Sequence, residues 1–338
     1  MSGSAAEHHA LARTWFLADS ATITEGRVRD VNTAAMSVRS ASLHDDEPDT
    51  GVWVVRVLLR RQTPALAHLP LEPLSNTGTD NALYRLGPSL VVRLPRLPGA
   101  AQGLATEVDW LPRLSRRLPV AIPRLVHAGE PAVGYPYPWA VLSWLDGVDG
   151  WASRHHDDWF GPDLGIDLAR TVRELHTTPV QNAPRREPGS RGGPLRALDD
   201  GVRWWLNQAD GLLDIAAVTR IWDQCLEAAA YEAGPVLLHG DLIPGNILVA
   251  GGHLSGIIDW GGLGAGDPAQ DLNPAWSVLD PNGAAAFREF LDVNSDTWLR
   301  ARGFVLQQAI GGIVYYTPRR HPLAEVMWRT LDRLLSGR

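Results

Sequence analysis

Three oxygen-bearing side chains, Asp241, Asn246 and Asp259, lie within one short stretch that begins His239-Gly240-Asp241 and ends Ile258-Asp259-Trp260-Gly261. An amide oxygen and a carboxylate are a hard-ligand pair of the kind Mg²⁺ accepts, because that ion takes few protein ligands and fills its shell with water and phosphate. Asp241, on the loop just before, is free to face a substrate hydroxyl. His239 reads as a brace for that loop through backbone hydrogen bonds.

The elements that must position these groups follow from the local pattern. Ile247–Ala250 and His253–Ile258 are apolar runs separated by Gly251-Gly252, the turn of a two-residue hairpin. Pairing Ala250 with His253 puts Asn246 opposite Ile257, with Asp259 two residues further on. Residues i and i+2 share a strand face, so both groups reach the open end of the hairpin.

The spacings, five residues from Asp241 to Asn246 and thirteen from there to Asp259, resemble the catalytic loop and metal motif of the aminoglycoside phosphotransferase family. The continuation Gly264-Ala-Gly-Asp267-Pro-Ala-Gln-Asp271-Leu272 follows the same pattern. The resemblance runs from about residue 50 to the C-terminus and implies an α+β, two-lobed protein-kinase-like fold, with a small antiparallel-sheet N-lobe and a mainly helical C-lobe. It implies that Asp241 is the catalytic base and that Asn246 and Asp259 hold Mg²⁺ on the phosphates of ATP or GTP. Thr77, Gly78 and Asn81 fall in the family's nucleotide loop. Arg93 stands where the family carries a phosphate-clamping lysine, Glu107 is its candidate ion-pair partner, and backbone groups of Ser143 and Leu145 face the purine. Asp199, Asp200, Trp205, Asp271 and Trp276 are acceptor-site candidates, with Asp271 also read as a brace for the catalytic loop and the tryptophans also read as core.

Upstream, Val52–Leu66 reads as a helix capped at Asp49 or Thr50, with a strand as the alternative that its valines allow. Leu71–Leu74, Ala82–Leu86 and Leu90–Leu94 read as an antiparallel meander, followed by a helix over Ala100–Leu118 and a strand over Trp139–Leu145. Helices are expected over Asp163–His176, Leu195–Leu213, Ala216–Ala233, Ala284–Leu291, Asp296–Tyr316 and Leu323–Leu335, with Val236–Asp259 the one β region of that half. Residues 1–48 form an extension, 49–142 the nucleotide-binding lobe, 143–147 the hinge, and 148–338 the catalytic and substrate lobe.

Composition narrows the chemistry further. The 31 basic residues are all arginine, so lysine-dependent phosphate loops and Schiff-base cofactors are closed. A net charge of −7 over 338 residues gives no broad basic surface for nucleic acid or anionic lipid. The single cysteine, Cys225, and the lack of any long apolar run point to a cytoplasmic chain without a membrane span. The expected activity is transfer of the γ-phosphate of ATP or GTP to a small-molecule hydroxyl, foremost an antibiotic's. A metabolite kinase and a catalytically silent nucleotide-binding regulator are the alternatives; the oligomeric state is monomer or homodimer.

Overall fold

The computed structural model describes residues 48–74, 80–132, 134–209 and 211–336. The N-terminal extension through residue 47, and with it Thr77 and Gly78 of the expected nucleotide loop, lie outside the described residues. The chain divides into two units, Met1–Ala105 with Leu125–Trp144, and Thr106–Arg124 with Leu145–Arg338.

In the first unit, the stripe Val54, Val55, Leu58 and Leu59 is buried at helical spacing. Burying that stripe outweighs the strand preference of the valines, and Val52–Gln62 is helix α1. Its N-cap is Gly51, not Asp49 or Thr50; Asp49 instead accepts the Gly51 N–H at 2.8 Å and the Trp53 indole N–H at 2.9 Å. The meander forms as β1 (Leu71–Pro73), β2 (Asn81–Leu86) and β3 (Leu90–Pro95). Beyond β3 come β4 (Leu125–Gly129) and β5 (Trp139–Ser143), giving an antiparallel five-stranded sheet in the order β1-β2-β3-β5-β4. β4 was not expected, because Leu125–Gly129 shows no apolar alternation. Its place is fixed by tertiary contact: a side chain on Gly129 would sit 2.1 Å from the Trp139 ring. Ala82, Tyr84 and Leu86 alternate into a core with Val92, Leu94, Trp139, Val141 and the α1 stripe.

Helix α2 (Pro98–Leu114) begins in the first unit and ends in the second. The second unit is mainly helical, with α3 (Pro162–His176), α4 (Asp199–Gln208), α5 (Ile215–Leu226), α6 (Pro274–Ser277), α7 (Pro281–Leu291), α8 (Ser295–Tyr316) and α9 (Leu323–Ser336). The expected helix over Leu195–Leu213 is shorter, a 3₁₀ turn over Leu195–Leu198 and then α4. α5 likewise stops at Leu226 rather than Ala233. α8 is the central element, buried on all sides over most of Arg300–Ile313. Its glycines permit close helix packing: a side chain on Gly312 would fall 2.5 Å from Met327.

Strands in this unit extend past the one expected region. Besides β7 (Val236–Leu238), β8 (Ile247–Ala250) and β9 (His253–Ile257), there are β6 (Val148–Asp149), paired with β8, and β10 (Gly264–Gly266), paired with β7. A two-residue strand and a Gly-Ala-Gly strand carry no readable alternation. The β8–β9 hairpin also departs from the simple count. Ala250 pairs with His253, but the register shifts at Leu248/Val249, so Ile247 opposes Ile257 and the Ile258 N–H donates to the Asn246 carbonyl at 2.9 Å. Asp259 is therefore one residue beyond Asn246's partner, and the shared-face argument does not hold. Among the described residues, no helix is long and apolar enough to cross a membrane.

Candidate active site

The loop between β7 and β8 is short and its backbone is almost wholly committed. Gly240 adopts a φ of +82°, and a side chain there would meet the Gly262 carbonyl oxygen at 2.4 Å, so the turn admits only glycine without displacement. Asp271, 0% exposed, accepts the N–H of His239 at 2.9 Å and of Gly240 at 2.8 Å. His176 Nε2 lies 3.3 Å from the same carboxylate. Burial pushes the Asp271 pKa up, but the His176 hydrogen bond and charge and the Gly240 N–H outweigh it and hold the group below the ordinary carboxylate range. The engagement of both oxygens makes Asp271 the loop's clamp; as an acceptor-contacting residue it has no oxygen to spare.

His239 completes the frame. Its Nδ1 accepts the Asp241 N–H at 3.2 Å while Nε2 faces the Ile258 carbonyl at 3.2 Å, so the neutral Nε2–H form satisfies both. The ring meets Trp260 edge to face at 4.6 Å. The histidine thus ties this loop to the end of β9. Glu107, fully buried, accepts the Trp260 N–H at 3.4 Å from α2.

Asp241 and Asn246 are brought together. Asn246 Nδ2 donates to the Asp241 carbonyl at 2.9 Å and to Oδ2 at 3.2 Å, which turns the amide oxygen away as the free acceptor. Asp259 follows β9 in the left-handed region, at φ 62° and ψ 66°, a conformation aspartate takes more readily than bulkier residues. Among the described residues, no cluster of three or more His, Cys, Asp or Glu forms a metal cage. An amide oxygen and one carboxylate fit Mg²⁺, which needs no such cage.

Two contacts of Asp241 were not anticipated. Arg191 Nη1 donates to Oδ1 at 2.9 Å, and Gln308 Nε2 donates to the same oxygen at 3.2 Å. Gln308 comes from the middle of α8 and is itself held through Asn273 Nδ2 at 2.8 Å. Arg191 comes from the Pro-, Gly- and Arg-rich loop after α3, which the sequence marked only as a long connection. The surviving signal was three arginines, 185, 186 and 191, in one loop of a chain with 31 basic residues.

The remaining candidates divide. Arg93 is buried on β3, opposite Leu83 and Ala140, on the face away from Val92 and Leu94. Asn81 opens β2, and its amide oxygen is buried with no hydrogen-bond partner among the described residues. Ser143 closes β5, and the Trp144 N–H that follows donates to Ser89 at 2.8 Å. Asp199 accepts the Trp222 indole N–H at 2.7 Å and pairs with Arg203 at 3.0 Å; it joins α4 to α5 rather than offering a free carboxylate. Asp200 beside it is exposed. Trp205 is buried edge to face with Trp204, and Trp276 is buried against Trp298 at 4.5 Å, both as core residues.

A model of the phosphotransferase enzyme family, APH, matches residues 71–304. An aminoglycoside 3'-phosphotransferase of Escherichia coli is 27% identical over 145 residues, 42% of this chain and 53% of that protein. The chain spans about half the length of the curated relatives it matches. Among solved structures, the GDP and kanamycin complex of APH(2")-IIia superposes with a TM-score of 0.64 at 20% identity, covering 83% of this chain and 97% of that one. The apoenzyme of macrolide 2'-phosphotransferase MphH from Brachybacterium faecium gives 0.54 at 19%, covering 83% and 96%. The likeness to these structures shows a common fold, the kinase-like α+β fold.

Proposed function

The chain belongs to the aminoglycoside phosphotransferase family, and from that premise we propose that it moves the γ-phosphate of ATP or GTP to a hydroxyl of a small molecule, an antibiotic in the first instance. The observation that carries this reading is the loop itself: a partly exposed carboxylate, Asp241, presented by a loop whose His239 and Gly240 N–H groups are held by Asp271 and whose far end is tied back through Asn246. Such a group is fixed in place yet accessible.

In the proposed reaction Asp241 accepts the proton of the acceptor hydroxyl as its oxygen bonds to the γ-phosphorus. The bond from phosphorus to the bridging oxygen breaks, and the electron pair leaves with the nucleoside diphosphate. Asn246 and Asp259 would hold Mg²⁺, which supplies charge neutralisation along the phosphates. Arg93 replaces the lysine expected at its position, keeping the charge and adding paired donors for phosphate oxygens. Asn81 and the backbone at Ser143 and Leu145 are proposed nucleotide contacts of the first unit and the segment after it. The residues' main contribution is positioning and fixed charge, because phosphoryl transfer needs little covalent help from the protein.

The test is Mg²⁺-dependent consumption of ATP and GTP against a panel of antibiotics and hydroxylated metabolites. Asp241→Ala is expected to lower acceptor phosphorylation by roughly 10²–10⁴-fold, the usual contribution of a general base, while the melting temperature stays within a few degrees. Full phosphorylation by Asp241→Ala refutes the assignment.

A further inference from the structure

Three donors meet the Asp241 carboxylate, and the one carrying a formal charge is a cation from outside the motif. Arg191 Nη1 contacts Oδ1 at 2.9 Å, with the two side chains 25% and 28% exposed, so the ion pair is in partial contact with solvent. Behind it lies a second guanidinium. Arg186 donates through Nη2 to the Gly262 carbonyl and crosses the glycines of β10, where a side chain on Gly264 would lie 2.6 Å from its Nε. That Nε is buried and has no hydrogen-bond partner among the described residues. Burial, and next the positive charge of Arg191, hold the Arg186 pKa below arginine's ordinary value, so the two cations sense one another.

Two further carboxylates of this neighbourhood are engaged, and a third is assigned to the metal. Asp271 is the loop clamp. Asp267 is paired with buried Arg300 at 2.6 Å. Asp259 is the proposed metal ligand. The donors on the Asp241 carboxylate are thus one arginine and two amides. A polycationic acceptor would bring ammonium groups against a fixed guanidinium at the very atom that must receive its hydroxyl, and like charges at such range repel strongly where solvent is partly excluded.

Resting on the phosphotransferase reading, we propose that Arg191 makes this site select against polycationic acceptors, so that the hydroxyl Asp241 deprotonates belongs to a molecule neutral or acidic around that hydroxyl. Arg191 acts here as a specificity residue: its charge rejects ammonium-rich molecules and is compensated by an acceptor's carbonyl or carboxylate oxygens when Asp241 turns to the hydroxyl.

The test titrates kanamycin, as the polycationic probe, into the full chain saturated with ADP and Mg²⁺, for wild type, Arg191→Gln and Arg191→Glu. Circular dichroism melting shows that each variant is folded, and Arg191→Gln carries the comparison if the charge reversal unfolds. Kanamycin is expected to bind wild type with a Kd in the millimolar range or weaker, several-fold tighter in Arg191→Gln and at least tenfold tighter in Arg191→Glu, with the difference shrinking as salt rises. A micromolar Kd in wild type overturns the proposal, and so does an equal Kd in all folded variants. Nucleotide turnover is measured separately in the same preparations: its absence in wild type counts against the phosphotransferase reading, while the effect of the 191 charge on kanamycin binding is still read directly.

Discussion

In the first unit, Leu58, Leu86, Val92 and Leu94 are held by one another; in the second, the loop from His239 to Asn246 is held by Asp271, His239, Gln270 and Asn246 through hydrogen bonds. Both regions are buried, yet burial means different things in them. An apolar core is non-directional and accepts any side chain of suitable volume. A loop stitched by buried polar groups accepts almost none, because each donor left behind loses water and gains nothing. That contrast explains how one unit carries a family motif in plain residues while the other carries an ordinary strand pattern.

The strongest way to break the contrast is Asp271→Ala. It leaves the His239 and Gly240 N–H groups buried without their acceptor, a loss of roughly 3–5 kcal/mol in urea unfolding. A loss below about 1 kcal/mol would show that the loop does not depend on its clamp. The sign with pH follows from the lowered pKa of Asp271. Its stabilising effect is complete above the ordinary carboxylate range and fades as pH falls through the lower folded value, so the advantage of wild type over Asp271→Asn narrows in acid.

Gly240→Ala probes the same loop through its backbone. The left-handed φ of +82° and the 2.4 Å approach to the Gly262 carbonyl predict a loss on the order of 2 kcal/mol, with turnover falling as Asp241 shifts. An alanine variant with wild-type stability and turnover would mean that the turn is looser than its contacts imply. The smallest effect is expected in the first unit. Leu58→Met keeps the volume of a fully buried side chain and is predicted to cost less than about 1.5 kcal/mol in the same unfolding experiment. A larger loss would place the sheet core among the exacting regions and erase the difference.

Much of the fold was readable where periodicity was long. α3 and α9 present apolar residues at helical spacing, α8 is a long run without a breaker, and β2 of the meander alternates. What escaped was short or irregular: β4, β6 and β10 have too few residues, or too many glycines, to carry a pattern, and they exist because a neighbouring strand offers hydrogen-bond partners. The β8–β9 register failed for a related reason. A bulge adds one residue on one side only, and no residue type marks it.

The amino-acid order by itself singled out Asp241, Asn246 and Asp259 for the proposed transfer, because they are near neighbours in the chain and few residue types can replace a base or a hard-cation ligand. Only the tertiary structure decided what surrounds them. Arg191 and Gln308 reach Asp241 from 50 and 67 residues away, and Asp271 grips the loop from 31 and 32. Contacts of that span leave no periodic trace in a sequence, since they are set by how separate elements pack and not by what any one of them prefers.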